Sequence, residues 1–263
     1  MGERSFGQRG SEAGEESRAE DIGSALERLP EVDLGTRALL EADGSILLGK
    51  GKEASGEFRL SCPGQAGWSL KESLLQATGD QRERFVRARL APLFRGAVLR
   101  SFSLEGLDAP AEPLLVRIRL RFPNFLQREG GKPVVPIVLM PANLGELVER
   151  PTRTWPFVFR DYSVLRWKVV IDPGSAWRID AAPASAMVLH PILSWQLCFR
   201  REGARLSIER DLALVPGRFS AGEYPRFISL CRSVDEAEGR KIILAPAGGR
   251  SEERRVGKEC RSR

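Results

Sequence analysis

The segment PLLVRIRLRF, residues 113–122, decides the fold class because its apolar and charged side chains alternate. The apolar set is Leu114, Val116, Ile118, Leu120 and Phe122, and the charged set between them is Arg117, Arg119 and Arg121. A period of two is that of a β-strand. It predicts a strand with one face in a core and the other in water, as in an antiparallel sheet.

The residues before this strand predict its neighbours. An Asp43-Gly44 pair between apolar runs indicates a hairpin, and residues 56–62 and 97–107 indicate further strands. Between these strands, Ser69 with Glu72 and Asp80 with Glu83 have the spacing of helix N-termini, and Phe85, Val86, Leu90 and Leu93 fall on one helical face. We therefore expect an α+β domain over residues 37–125, in which a helical pair covers a sheet.

The rest of the chain is also rich in short β segments. Residues 126–155 carry many prolines and glycines and are expected to form a connector with one buried strand, Val134 to Met140. Residues 156–249 predict a β-sandwich-like domain with a Glu202-Gly203 hairpin turn. Its C-terminal helix begins at Ser220 and is followed by a strand over residues 241–245. The predicted fold class is α+β and mainly antiparallel β.

The two ends of the chain are set apart by composition. Residues 1–36 are rich in Gly, Glu, Ser and Arg, and we expect a disordered leader there. Residues 250–263, RSEERRVGKECRSR, look like the translation of a sequencing adapter and are left out of the fold prediction. This tail holds six basic and three acidic residues, so the formal net charge of +6 falls to +3 without it. Such a charge gives little reason to expect a nucleic-acid partner.

Several classes of site lack the residues they need. Without the tail, the cysteines are Cys62, Cys198 and Cys231, which have neither the spacing of a zinc site nor that of a disulfide framework. His190 is the only histidine, so a thiol nucleophile would need Cys62 and His190 to meet. We regard that pairing as the weaker hypothesis and predict no catalytic, cofactor-binding or metal-binding residue. No apolar run is long enough to span a bilayer, and no hydrophobic stretch follows the first charges, so we expect neither a membrane anchor nor a signal peptide in this chain.

Two sets of side chains are candidates for an interaction surface. Trp155, Trp167, Trp177 and Trp195 are spaced through the second half of the chain, and tryptophan is enriched at interface hot spots. Arg117, Arg119 and Arg121 could hold an anionic partner. The alternative for the arginines is a solvated face that protects the sheet against edge pairing, and we favour it.

The order of these landmarks resembles the C-terminal region of large bacterial transglutaminase-like proteins. The resemblance covers about residues 38–244, and its most specific part is the hairpin followed by the helix entry at Pro216, Phe219, Glu223, Tyr224, Pro225 and Phe227. In that family a papain-like catalytic core is flanked by β-rich domains of unknown function, usually behind a signal peptide. The segments that would carry the family's catalytic Cys, His and Asp are not found here, so no catalytic residue is transferred to this chain.

The resemblance implies a fragment without its enzyme: a non-catalytic accessory region that packs against or positions a transglutaminase-like domain, in cis or in another protein. It also implies a periplasmic or extracellular location for the parent protein. The alternative function is an independent carbohydrate- or peptide-binding β-sandwich. Exposed tryptophans that line one groove would favour this alternative, and an apolar patch centred on the connector would favour the accessory region.

Overall fold

The computed structural model describes residues 38–109, 112–148, 150–159 and 163–248. The expected leader at residues 1–36 and the adapter-like residues 250–263 lie outside these ranges. The described strands are β1 Ala38–Leu48, β2 Ala54–Cys62, β3 Val98–Glu105, β4 Leu114–Phe122, β5 Gln127–Glu129, β6 Lys132–Pro136, β7 Phe157–Phe159, β8 Ser163–Asp172, β9 Trp177–Ala181, β10 Ala186–Leu189, β11 Leu193–Glu202, β12 Arg205–Leu214, β13 Gly217–Phe219 and β14 Lys241–Pro246.

Three α-helices accompany the strands: α1 Gly64–Leu75, α2 Gly79–Phe85 and α3 Tyr224–Glu238. A π-helical turn over Val86–Leu90 and a 3-10 turn over Ala91–Leu93 extend α2, and 3-10 turns cover Leu144–Val148 and Ala221–Glu223. This inventory confirms the predicted α+β class, including the C-terminal helix. None of the described helices combines the length and the apolar character needed to cross a membrane.

An eight-stranded sheet is the main feature of the fold, with the order β10-β11-β12-β8-β1-β2-β4-β3. Neighbouring strands are antiparallel except at β1 and β8, which run parallel from Ala38 opposite Ser163 to Leu47 opposite Asp172. The remaining strands form a four-stranded sheet, β5-β6-β14-β9, and the pair β7-β13. The parallel contact makes β1, near the start of the described chain, a central strand of the large sheet.

The alternation read from residues 113–122 is the pattern of β4. Its five apolar side chains are buried to 2% exposure or less, and the arginines point to the opposite, solvent-facing side. Burying each such side chain stabilises the fold by about 1.5–3 kcal/mol relative to leaving it in water. The buried face is covered by α1, which lies against β1, β2 and β4, and the residues of α3 and of the 137–148 stretch complete the same core cluster.

The predicted boundary at residues 126–155 does not divide the large sheet. Strands β8, β10, β11 and β12 follow the boundary in the chain, yet they continue the sheet begun by β1, β2, β3 and β4. All described residues belong to one compact unit. The expected second domain is therefore not a separate sandwich, because ten residues of β1 pair with β8 across the predicted boundary. Within the connector, the strand β6 ends at Pro136, and residues 137–140 are buried without strand geometry.

The Asp43-Gly44 hairpin prediction is wrong, because β1 runs straight through both residues. The chain turns later, where the Gly49 N–H donates to the Glu53 carbonyl at 2.9 Å. Gly44 lies opposite Phe58 of β2, and a Cβ at Gly44 would come within 2.2 Å of the Phe58 ring. The glycine is needed for this close packing rather than for a turn.

The helical pair is present, but its first helix begins earlier than predicted. Ser69 and Glu72 lie inside α1, which starts at Gly64 directly after β2. This early start presses Gly67 against the strand end, since a Cβ there would lie 1.5 Å from the Cys62 carbonyl oxygen. The second helix begins close to its predicted position, with a capping box in which the Thr78 N–H donates to Oε1 of Gln81 at 2.8 Å.

Candidate functional site

The predicted arginine stripe lies on the exposed face of the large sheet, and each of its members already has a carboxylate partner. The pairs are Arg117 Nε with Glu105 Oε1 at 2.6 Å, Arg119 Nε with Glu57 Oε1 at 2.7 Å, and Arg121 with Glu53. The hydrogen bond from Arg121 holds the pKa of Glu53 below its usual value. The face carries further pairs, among them Lys168 Nζ with Glu209 Oε1 at 2.7 Å. These contacts fit the solvated-face interpretation, because the charges of the stripe are matched on the face itself.

The four tryptophans do not form one surface. Trp167 and Trp195 are 4% and 1% exposed and belong to the core, so they cannot contact a binding partner while the chain is folded in this way. Trp177 is half-buried, and its Nε1 donates to the Gly49 carbonyl at 3.0 Å. Trp155 is 80% exposed. Of the predicted set, only Trp155 therefore offers a largely free indole.

Cys62 and His190 are not brought together. Cys62 ends β2 and His190 follows β10, and these strands are five steps apart in the large sheet. At about 4.8 Å per step, the separation is on the order of 24 Å. Burial raises the pKa of the Cys62 thiol to about 11, the opposite of what a nucleophile needs. The dyad hypothesis is wrong for this fold.

A buried ion pair joins the large sheet to α3. Arg210 of β12 and Glu238 at the end of α3 lie 3.1 Å apart between Nη1 and Oε1, and their side chains are 0% and 2% exposed. Burial lowers the pKa of Arg210, and the charge of Glu238 opposes this effect. The guanidinium carbon lies 5.9 Å from the Trp167 ring centroid, within cation–π range. Nε and Nη2 of Arg210 have no hydrogen-bond partner among the described residues.

The same pair fixes the chain that follows β6. Arg210 Nη1 donates to the Met140 carbonyl at 2.7 Å, and the Ala142 N–H donates to Glu238 Oε2 at 2.8 Å. Glu238 Oε1 also accepts from Trp195 Nε1 at 2.9 Å. A carboxylate in this setting satisfies donors from three separate parts of the chain. The contacts hold residues 140–142 between the sheet and the C-terminal end of α3.

One turn earlier on α3, Asp235 binds the next residues of the same stretch. Its Oδ1 accepts from the Leu144 N–H at 2.9 Å and its Oδ2 from the Gly145 N–H at 2.7 Å. The two backbone groups begin the 3-10 turn over Leu144–Val148, whose first N–H groups have no partner inside the turn itself. Asp235 thereby caps this turn and attaches it to α3.

The far end of the stretch is held at the other end of α3. The Phe157 ring lies 5.5 Å from the rings of both Tyr224 and Phe227, and Arg153 lies 4.9 Å from the Tyr224 ring. Tyr224 also donates its hydroxyl to the Arg150 carbonyl at 2.8 Å. From Tyr224 to Asp235 the helix rises about 17 Å. The 137–159 segment, defined as residues 137–148 and 150–159, is thus attached to both ends of α3.

Three exposed apolar side chains lie on this segment. Leu147, Trp155 and Val158 are 40%, 80% and 55% exposed, respectively. They lie within twelve residues of chain that is held along α3. Exposed apolar side chains on or beside the predicted connector are the kind of feature that favours an interaction with another domain. We call these three residues the connector patch.

Sequence reasoning missed Arg210, Asp235 and Glu238. A signal for Arg210 was present, because it shares strand parity with Leu206, Ile208 and Leu212 and therefore falls on the apolar face. A charged residue on that face requires a buried partner. The partner could not be read from the sequence, since Glu238 lies 28 residues later, on a helix with other acidic residues nearby.

Comparison with known proteins finds a similarity over part of the chain. Residues 136–244 match DUF3858, a family described as a domain of unknown function with a solved structure. The matched range includes the 137–159 segment, β12 and α3. It therefore contains Arg210, Asp235 and Glu238. No curated protein gives a significant match to the chain, and neither does any solved structure.

Proposed function

We propose that this chain is a non-catalytic accessory region that packs against and positions a transglutaminase-like domain. The connector patch, Leu147, Trp155 and Val158, is the contact surface in this proposal. The partner is named by the resemblance of residues 38–244 to the C-terminal region of bacterial transglutaminase-like proteins. The DUF3858 match over residues 136–244 supports the assignment of this region to an accessory domain.

The exposure of Trp155 is the observation that carries the proposal. An indole that is 80% exposed leaves a large apolar surface in water, and its burial at an interface would be favourable. Tryptophan is among the residues that most often dominate binding energy. Because both ends of the 137–159 segment are fixed to α3, little of its conformational freedom remains to be lost on binding.

The chemistry of the remaining side chains supports a non-catalytic role. Burial raises the pKa of the Cys62 thiol, which lies far from His190. Cys231 is a core residue, and burial raises the pKa of its thiol to about 12. The exposed face of the sheet is covered by matched ion pairs rather than by an unmatched group suited to proton transfer. Catalysis in this proposal belongs to the partner domain.

Binding measurements with matched tryptophan variants test the proposal. The full chain is immobilised, and the catalytic domain of a bacterial transglutaminase-like protein with flanking β-rich domains is the analyte in biolayer interferometry. We expect Trp155→Ala to weaken binding about 30-fold or more, the loss typical of a hot-spot residue. The control is Trp68→Ala, which removes an indole that is 59% exposed on α1, away from the 137–159 segment.

The control distinguishes a specific interface from nonspecific binding through exposed indoles. We expect the Trp68 variant to bind as the unmodified chain does. An equal loss of binding in both variants, or unchanged binding of Trp155→Ala, would contradict the assignment of the connector patch. Thermal unfolding of each variant shows whether the chain is still folded, and a loss of fold is not expected at such exposed positions.

A further inference from the structure

A pocket of about 560 Å³ lies where the four-stranded sheet, the end of α3 and the start of the 137–159 segment meet. Its size is in the range of small-molecule sites. Two of its lining residues are joined by a backbone hydrogen bond from the Arg95 N–H to the Leu139 carbonyl at 3.0 Å. It is distinct from the connector patch, whose three residues do not line it.

The floor of the pocket is apolar and its rim is cationic. Phe122, Phe125 and Leu139 line it, and these side chains are 1–4% exposed, so they form part of the packed core. Arg95, Arg240 and Lys241 also line it, and both arginines are exposed. A bound molecule would therefore meet both rigid apolar side chains and positive charge.

The two carboxylates that line the pocket offset only part of this positive charge. Asp235 accepts from two backbone N–H groups, and Glu238 accepts from Ala142, Trp195 and the Arg210 guanidinium. Glu238 is thus paired with an internal cation, whereas Asp235 keeps its negative charge and uses both oxygens to bind backbone N–H groups. Lys241 donates to Gln127 and Glu129, so its charge is also partly matched.

The two arginines remain available for a ligand. Arg95 makes no ion pair with any described residue, and Arg240 has only a 4.0 Å contact with Glu236. An exposed pair at that distance contributes little and can be given up on binding. Guanidinium groups bind carboxylates through two parallel hydrogen bonds, which gives this rim a preference for a planar anion.

We propose that the pocket binds a carboxylate carried on an apolar group, as at the C-terminus of a peptide or the head of a fatty acid. Arg95 and Arg240 bind the carboxylate, and the apolar group packs on Phe122, Phe125 and Leu139. The site stands on the pocket geometry alone. It goes beyond the accessory role, and either assignment can fail without the other.

Isothermal titration calorimetry on the full chain tests this site with matched acids and amides. The probes are N-acetyl-Ala-Phe with a free carboxylate, the same dipeptide as a carboxamide, octanoate and octanamide. We expect at least one acid to bind about tenfold or more tightly than its amide, since hydrogen bonds to a charged group account for such a difference. Preference for the dipeptide acid identifies a peptide source, and preference for octanoate a lipid source.

Arginine variants locate the binding. Arg95→Gln and Arg240→Gln are each expected to weaken binding of the preferred acid about tenfold or more and to leave its amide unchanged. Arg232→Gln is the matched control, because Arg232 is an exposed arginine of α3 that does not line the pocket. The site is refuted if no acid binds, if acids and amides bind equally, or if Arg232→Gln weakens binding as much as the pocket variants. Connector-patch variants should bind the acid normally, which separates this test from that of the accessory role.

Discussion

The molecule contains Arg–Glu ion pairs in two different environments, one exposed to solvent and one buried. On the outer face of the large sheet, Arg119 and Glu57 are 69% and 66% exposed, and their contact is one of several between neighbouring strands. In the core, Arg210 and Glu238 form a contact of similar length with side chains that are 0% and 2% exposed. The outer pair can exchange its partner for water at any time. The buried pair has no such substitute, so its geometry must be kept.

The exposed pairs therefore solvate one face of the sheet, whereas the buried pair helps to determine the fold. The outer pairs keep one face of the sheet in contact with water, and no single one of them determines the fold. Because β4 lies between β2 and β3, its arginines do not protect an edge, contrary to expectation. The buried pair binds Trp195, Met140 and Ala142 at once, and it thereby fixes the start of the 137–159 segment. The position of the connector patch depends on this second kind of pair.

The largest expected effect comes from breaking the buried pair. Arg210→Met leaves Glu238 buried without its cation, and we expect a loss of about 3–5 kcal/mol in the free energy of unfolding. Urea denaturation measures this loss. The matched variant on the outer face is Arg119→Met, for which we expect a change below about 1 kcal/mol. Similar losses for the two variants would remove the distinction between the pairs.

A smaller effect is expected one helical turn away, at Asp235. Asp235→Ala leaves the N–H groups of Leu144 and Gly145 without their acceptors, which should cost about 1–3 kcal/mol. Amide hydrogen exchange should become faster at these two positions and stay unchanged in β4. Uniformly faster exchange would mean that Asp235 acts on global stability and not on attachment of the segment.

The outer face should show weak coupling even when both partners are replaced. A double-mutant cycle of Arg119→Gln and Glu57→Gln is expected to give an interaction energy below about 1 kcal/mol, and less at high salt. Urea denaturation at low and high ionic strength measures both quantities. A salt-independent coupling of several kcal/mol would show that the exposed face also carries architectural pairs.

The smallest expected effect is the titration of His190, which is half-buried near Arg226. Partial burial, with a further contribution from Arg226, lowers its pKa below 6.5, and Glu223 acts in the opposite direction. The unfolded chain therefore binds a proton more readily, so this group reduces stability as the pH falls through 6.5 and has no effect well above it. His190 is the only histidine, so its ring signals in a proton NMR titration are identified without assignment. A pKa above 6.5 would reverse the predicted sign.

Much of the fold follows from local patterns in the sequence. The alternation at Leu114–Phe122 gives β4, the turn at Gly203 gives the β11–β12 hairpin, and Ser220 with Pro225 marks the start of the C-terminal helix. These features depend on residues close together in the chain. The joining of β1 to β8 depends on a parallel contact between segments more than 100 residues apart, and neither segment encodes its partner. That is why a continuous sheet was expected to be two domains.

The candidate site was less predictable than the fold for a related reason. Four tryptophans suggested a surface, yet the side on which each lies is set by strand parity and by what covers the sheet. Trp167 and Trp195 face the core, where the Arg210 guanidinium lies over the Trp167 ring and Glu238 accepts from Trp195 Nε1. Trp155 belongs to the irregular 137–159 segment, where neither strand nor helix periodicity can predict whether a side chain faces the core or the solvent. Its exposure is fixed by the contacts of its neighbours with α3.

Reading the source DNA upstream of Met1 tests the accessory role most directly. The account predicts an in-frame transglutaminase-like core there, with the Cys, His and Asp that this chain does not supply in the family's arrangement. A stop codon directly before Met1 would contradict an accessory role in cis, because the chain would then carry no transglutaminase-like domain of its own.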